Sequence, residues 1–124
     1  MPSSVRHVTL DCSDPYQLAQ FWSAVFEVAL AEDDEPGDPE AALELAGFTL
    51  LFIQDPDAKS VKNRMHLDLV SEDRTRDEEV ERLAALGASV YEDHRRPDGT
   101  GWVTMHDPEG NEFCVERGTA ERSA

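Results

Sequence analysis

The same order of local signals occurs twice along this chain, and that repetition limits the folds open to it. From Val5 to Asp11 the side chains alternate, with Val5, His7, Thr9 and Asp11 on one side and Arg6, Val8 and Leu10 on the other, as in a short strand. Ser13 or Asp14 then caps a helix whose first position is Pro15, where a missing N–H costs nothing. Leu18, Phe21, Trp22, Val25 and Phe26 form its apolar stripe. A strand over 28–31, an acidic solvated loop over 31–40 and a hairpin of 41–45 with 48–54 around Gly47 complete the first set. The second set opens with a strand over 64–71. Thr75 and Glu78 offer a capping box, Val80, Leu83, Ala84 and Leu86 mark the helix, and Gly87 ends it. A strand over 88–92 follows. Residues 101–106 and 111–116 then form a closing hairpin through Asp107-Pro108-Glu109-Gly110, which places Pro and Gly as a type I turn prefers. His7 and His66 sit on the first strands of the two sets, 66 − 7 = 59 residues apart. The expected fold is α+β, one domain over 1–124 built of two tandem βαβββ modules at about 5–55 and 64–117, with 118–124 as a frayed tail.

A chain of 124 residues is long enough for one domain with a real core. No apolar run approaches the roughly 20 residues of a membrane span, and the amino-terminal residues lack a signal-peptide apolar stretch, so a cytoplasmic address is expected. Cys12 and Cys114 are too few for a disulfide framework and are expected to be reduced thiols. The balance of 27 acidic against 11 basic residues, a formal charge of −16, repels phosphate backbones and anionic membranes. Nucleic acid and membrane are thereby disfavoured as partners, while a cationic small molecule stays open; the same charge also serves solubility. There is no glycine-rich phosphate loop, nucleophile elbow, paired-cysteine zinc spacing or basic stripe with interleaved aromatics.

Three runs carry a family resemblance. His7-Val8-Thr9-Leu10-Asp11 leads through Asp14-Pro15 into Ala19-Gln20-Phe21-Trp22, Asn63-Arg64-Met65-His66-Leu67-Asp68-Leu69 opens the second half, and Asp107-Pro108-Glu109-Gly110-Asn111-Glu112-Phe113 closes it. In this order, over about residues 5–117, they resemble the glyoxalase/bleomycin-resistance/extradiol-dioxygenase superfamily, also called vicinal oxygen chelate. The resemblance implies that each module curls its sheet into part of an open, barrel-like cleft. It implies a small-molecule ligand, a homodimer and, in the metal-using branches, a divalent ion (nickel, zinc, manganese or iron) that chelates substrate oxygens. Lyase, isomerase and dioxygenase activities occur among such proteins, and other members bind drugs without a metal.

Carried over position by position, the resemblance makes His7 the first metal ligand and His66 the third, both imidazoles of the kind divalent transition metals favour. The glutamate that metal-using members carry on the last strand of the first half is here Phe52 or Ile53, and neither can ligate. The corresponding position in the second half is Cys114, whose thiolate would suit zinc but be unusual for an oxygenase iron; a small core residue is the other reading. Glu112 and Glu116, two residues either side of Cys114, share its strand face and are candidate catalytic carboxylates, or else an exposed acidic strand. His106, with an unperturbed pKa of about 6.5, is a candidate acid or base at the cleft mouth. His94 reads as a surface residue near a turn, and Trp102 and Tyr91 either wall an apolar pocket or simply pack. Three functions therefore stand open: a metal-dependent enzyme, a metal-free antibiotic-sequestering protein for a cationic drug, and a module with a dead site that serves assembly.

Overall fold

The computed structural model describes residues 1–122, and the chain forms two compact units, Met1–Ala58 and Lys59–Ala124. Both are α+β, each with a small open sheet and a helix packed on it. Among the described residues no helix is long and apolar enough to cross a membrane.

The first unit runs β1 (His7–Cys12), α1 (Pro15–Phe26), β2 (Glu40–Leu45) and β3 (Phe48–Gln54). Its strand order is β1-β3-β2, with β1 parallel and β2 antiparallel to β3. Asp14 is the helix cap, its carboxylate accepting the Gln17 N–H at 3.2 Å. Leu18, Ala19 and Trp22 are buried on the helix side and Ala41, Leu43, Leu50 and Phe52 on the sheet side. Full burial of a side chain like Phe52 contributes about 1.5–3 kcal/mol, which explains a phenylalanine at that position.

The strand expected over 28–31 is not formed. Glu27 closes α1 in the left-handed region (φ 55°), the Val28 N–H donates to the Ser23 carbonyl at 3.1 Å, and the Ser23 hydroxyl donates to the Val28 carbonyl. These bonds fold residue 28 back onto the helix end, so its polar groups are already satisfied and a ladder has nothing to offer them.

The second unit carries the full expected order: β4 (Leu67–Leu69), α2 (Arg76–Leu86), β5 (Ser89–Asp93), β6 (Val103–His106) and β7 (Glu112–Val115). Strand order is β4-β7-β6-β5, with β4 parallel to β7 and the remaining pairs antiparallel. The capping box forms as read, Glu78 N–H to Thr75 Oγ1 at 3.1 Å and Thr75 N–H to Glu78 Oε1 at 2.9 Å. The 107–110 turn closes with Gly110 N–H on the Asp107 carbonyl at 2.9 Å, and the buried Asp107 carboxylate takes the N–H groups of Glu109 and Asn111.

Two expectations change here. The strand over 64–71 shrinks to Leu67–Leu69, because its partner β7 spans only Glu112–Val115 and Asn63 is held by side chains on β7 and the turn before it. The tail is ordered through Arg122: α3 (Thr119–Arg122) is tied by Thr119 N–H to the Ser71 carbonyl, and the Glu121 carboxylate accepts from the Arg76 and Gly118 N–H groups. Residues 123–124 of the expected tail lie outside the described residues.

Strand alternation now sorts the second sheet into two faces. Val103, Met105, Phe113 and Val115 are buried on the face that also takes Leu67 and Leu69. Asp68, Thr104, Glu112 and Cys114 leave by the other face, and that polar face carries the site.

Candidate functional site

A cavity of about 610 Å³ lies within the second unit, lined from the sheet by Asp68, Thr104, Glu112 and Cys114 and from the residues flanking β4 and β7 by His66 and Glu116. The register explains the convergence. Asp68 stands opposite Cys114 across the parallel β4–β7 pair, and Thr104 opposite Cys114 across β6–β7, so all three side chains project from one face. His66, two residues before Asp68, reaches the Asp68 carboxylate with Nδ1 at 3.1 Å. One donor atom each from His66, Asp68 and Cys114 lies within 4.8 Å of the others.

Cys114 is buried, with its sulfur 3.5 Å from the Thr104 hydroxyl. Burial pushes the thiol pKa up, helped by the negative charges of Asp68 and Glu116 and opposed by the Thr104 hydrogen bond. The thiol is therefore protonated near neutrality until something positive takes the proton's place.

Glu112 behaves in the opposite way. Burial alone would raise its pKa, but the Asn63 N–H at 2.7 Å and the Lys59 ammonium at 2.9 Å outweigh this and bring it down to about 2. So weak a base holds its charge through the neutral range and anchors the 59–63 segment. His106 Nε2 lies 3.3 Å from the Glu112 carboxylate, buried and without a well-aligned hydrogen bond, while its ring stacks on Tyr91 at 4.2 Å. His106 and Tyr91 do not line the cavity.

The loop wall is aromatic and cationic. His94 stacks on Trp102 at 4.6 Å, and the Arg96 guanidinium lies 5.7 Å from the Trp102 ring centroid. The loop is fixed from behind by the buried Arg76, whose Nη1 donates to the carbonyls of Gly99, Thr100 and Gly101 at 3.1–3.2 Å. His94, read as a surface residue near a turn, lines the wall together with Trp102.

His7 is placed at the exposed start of β1 in the first unit, paired with Thr49. The three-donor cluster is formed by second-unit residues alone. Phe52 is fully buried and Ile53 half-buried.

The sequence model described as the glyoxalase-like domain matches residues 7–116, nearly the whole chain. The chain belongs to this family. Solved structures agree on the fold of this glyoxalase-like domain. A fosfomycin resistance protein, FosX, from Listeria monocytogenes is 25% identical with a TM-score of 0.70, the alignment covering 98% of this chain and 95% of that one. A mutant of the same protein complexed with manganese(II) and 1S,2S-dihydroxypropylphosphonic acid gives 21% identity and a TM-score of 0.71, covering 99% and 98%. A lactoylglutathione lyase from Agrobacterium tumefaciens gives 20% and 0.62, covering 98% and 97%. No curated protein sequence matches.

Asp68 was missed by the sequence reading of this glyoxalase-like domain, although a signal was present. It lies two residues after His66 in the run read as a strand over 64–71, so that reading puts the two on one face before any pairing is known. The cations around the cavity were masked by the net acidity of the chain.

Proposed function

We propose that this glyoxalase-like domain is a small-molecule enzyme that works with a divalent metal held by His66, Asp68 and Cys114. The observation that carries the reading is the approach of an imidazole, a carboxylate and a sulfur within 4.8 Å on the cavity lining. Bonds of about 2.0–2.3 Å in a tetrahedral site set donor atoms about 3.3–3.8 Å apart, so small side-chain adjustments suffice. The N, O, S donor set suits zinc better than the manganese named with the Listeria protein, because carboxylate and water are the usual manganese ligands. It also favours lyase or isomerase chemistry over dioxygen chemistry, since a thiolate would be unusual on an oxygenase iron.

When bound, such an ion polarises a substrate oxygen and stabilises the charge that develops there. The residues of the chain do the rest. The Asp68 carboxylate, 3.1 Å from His66 Nδ1, would hold the ion together with that ring nitrogen. Glu116, two residues beyond Cys114 on the same face and lining the cavity, is placed to take a proton from the substrate. Glu112 is a positioning residue that holds the 59–63 segment, with His106 packed behind it. Trp102 and His94 exclude water from one side. His7, the first-ligand position by resemblance, belongs in the variant series for that reason. The setting is a cytoplasmic homodimer; the exposed Val90 and Tyr91 on β5 support association, which sedimentation tests.

Titration of chelator-stripped protein with zinc, nickel, manganese and ferrous iron tests the reading, followed by turnover assays on thiol adducts and catechols. About one zinc per chain, lost in His66→Ala, is expected. The rival reading, a metal-free binding protein, is supported by the raised Cys114 pKa. Absence of metal uptake at micromolar concentration would favour it.

A further inference from the structure

The 11 basic residues are unevenly placed and unevenly paired. Only Arg6 lies in the first unit; every other lysine and arginine is in the second. There Lys59 pairs with Glu112, Arg74 and Arg82 with Glu79, Arg76 with Asp77, and Arg95 with Asp93 and Asp77, all within 2.7–3.7 Å. Among the described residues Arg64 has no ion pair and lies off the cavity, whereas Lys62, Arg96, Arg117 and Arg122 differ from both groups. Among the described residues none of the four has a carboxylate within ion-pair reach, and all four line the cavity. Their recorded contacts are neutral: the Asn63 carbonyl for Lys62, the Trp102 face for Arg96 and the Glu121 carbonyl for Arg117.

The same lining carries four carboxylates, Asp68, Glu92, Glu112 and Glu116; Glu112 is held by Lys59 from outside the lining, and Asp68 and Glu92 contact the imidazoles of His66 and His94. In a chain of charge −16, this cavity thus sets four cations without ion pairs against three carboxylates that, among the described residues, no lysine or arginine holds. Repulsion from the rest of the chain is screened beyond about 8 Å at physiological salt, whereas guanidinium contacts act at hydrogen-bond range and match planar oxyanions.

We infer that the cavity takes a small ligand bearing an oxyanion, a phosphate, phosphonate or carboxylate group, recognised by Lys62, Arg96, Arg117 and Arg122. This rests on the cavity being the substrate site of the proposed enzyme, but it does not rest on the metal. It replaces the cationic ligand that net charge alone left open.

The test titrates chelator-stripped and zinc-loaded protein separately with inorganic phosphate, methylphosphonate and acetate, with tetramethylammonium as the control cation. Calorimetry is read beside Trp102 fluorescence. Saturable binding of at least one oxyanion to the stripped protein is expected, and the tightest of the three identifies the group. The double variant Arg96→Gln, Arg117→Gln should weaken it by about tenfold or more with unchanged far-ultraviolet circular dichroism. Arg64→Gln, in the same unit but off the cavity, should change nothing. No oxyanion binding up to about 50 mM, equal loss in Arg64→Gln, an unaffected double variant, or preference for tetramethylammonium would each overturn the inference. Because stripped protein is used, failure of metal uptake and failure of anion binding are separate results.

Discussion

Asp68 and Cys114 are register partners across the parallel β4–β7 pair, and their side chains leave the sheet side by side on its polar face. Asp68 is half exposed, so its charge is not needed for folding. Asp68→Asn is expected to weaken zinc binding by about 10–100-fold while leaving the thermal midpoint unchanged, measured by competition with a chromogenic chelator.

The Cys114 proton must leave when a metal takes its place. Since burial holds the thiol pKa above its usual value, zinc affinity should rise by about tenfold per pH unit between pH 6.5 and 8. Cys114→Ser should flatten that slope. Calorimetry in buffers of different ionisation enthalpy counts the released proton directly.

Glu112 makes stability depend on acid. Its folded-state pKa of about 2 lies below the ordinary 4.5, so the fold favours the carboxylate. That stabilisation is present above about pH 4.5 and is lost as pH falls toward 2. It amounts to about 3 kcal/mol at most. Urea unfolding across this window should show a shallower pH dependence for Glu112→Gln than for wild type, and Glu112→Gln should be less stable at pH 7.

Gly101 holds the loop wall in shape. Its φ is +96°, and a Cβ there would lie 2.0 Å from the His94 carbonyl oxygen, a backbone atom that cannot step aside cheaply. Gly101→Ala is expected to cost about 2–3 kcal/mol and to separate His94 from Trp102, visible as lost near-ultraviolet circular dichroism. Gly37→Ala, with positive φ but open space around it, should cost about 1 kcal/mol.

What was legible in the sequence was local. The Thr75–Glu78 box, the Pro15 helix start, the Gly47 hairpin and the 107–110 turn each depend on residues a few positions apart, and all appear. Residues 28–31 failed as a strand because a short-range bond to Ser23 won over pairing. Residues 64–71 were read too long because a strand is only as long as its ladder, and β7 sets that length from some 45 residues away. Likewise Asp68 became a site residue through a long-range register, and Lys62, Arg96, Arg117 and Arg122 stand out only once the cavity they line is formed.

The metal site is tested most directly by substituting cobalt(II) into chelator-stripped protein and recording its absorption spectrum. A thiolate-to-cobalt charge-transfer band saturating at about one ion per chain, lost in Cys114→Ser and with binding lost in His66→Ala, is the predicted result. Saturating cobalt with no charge-transfer band, or a spectrum unchanged by either substitution, would contradict a metal held by His66, Asp68 and Cys114.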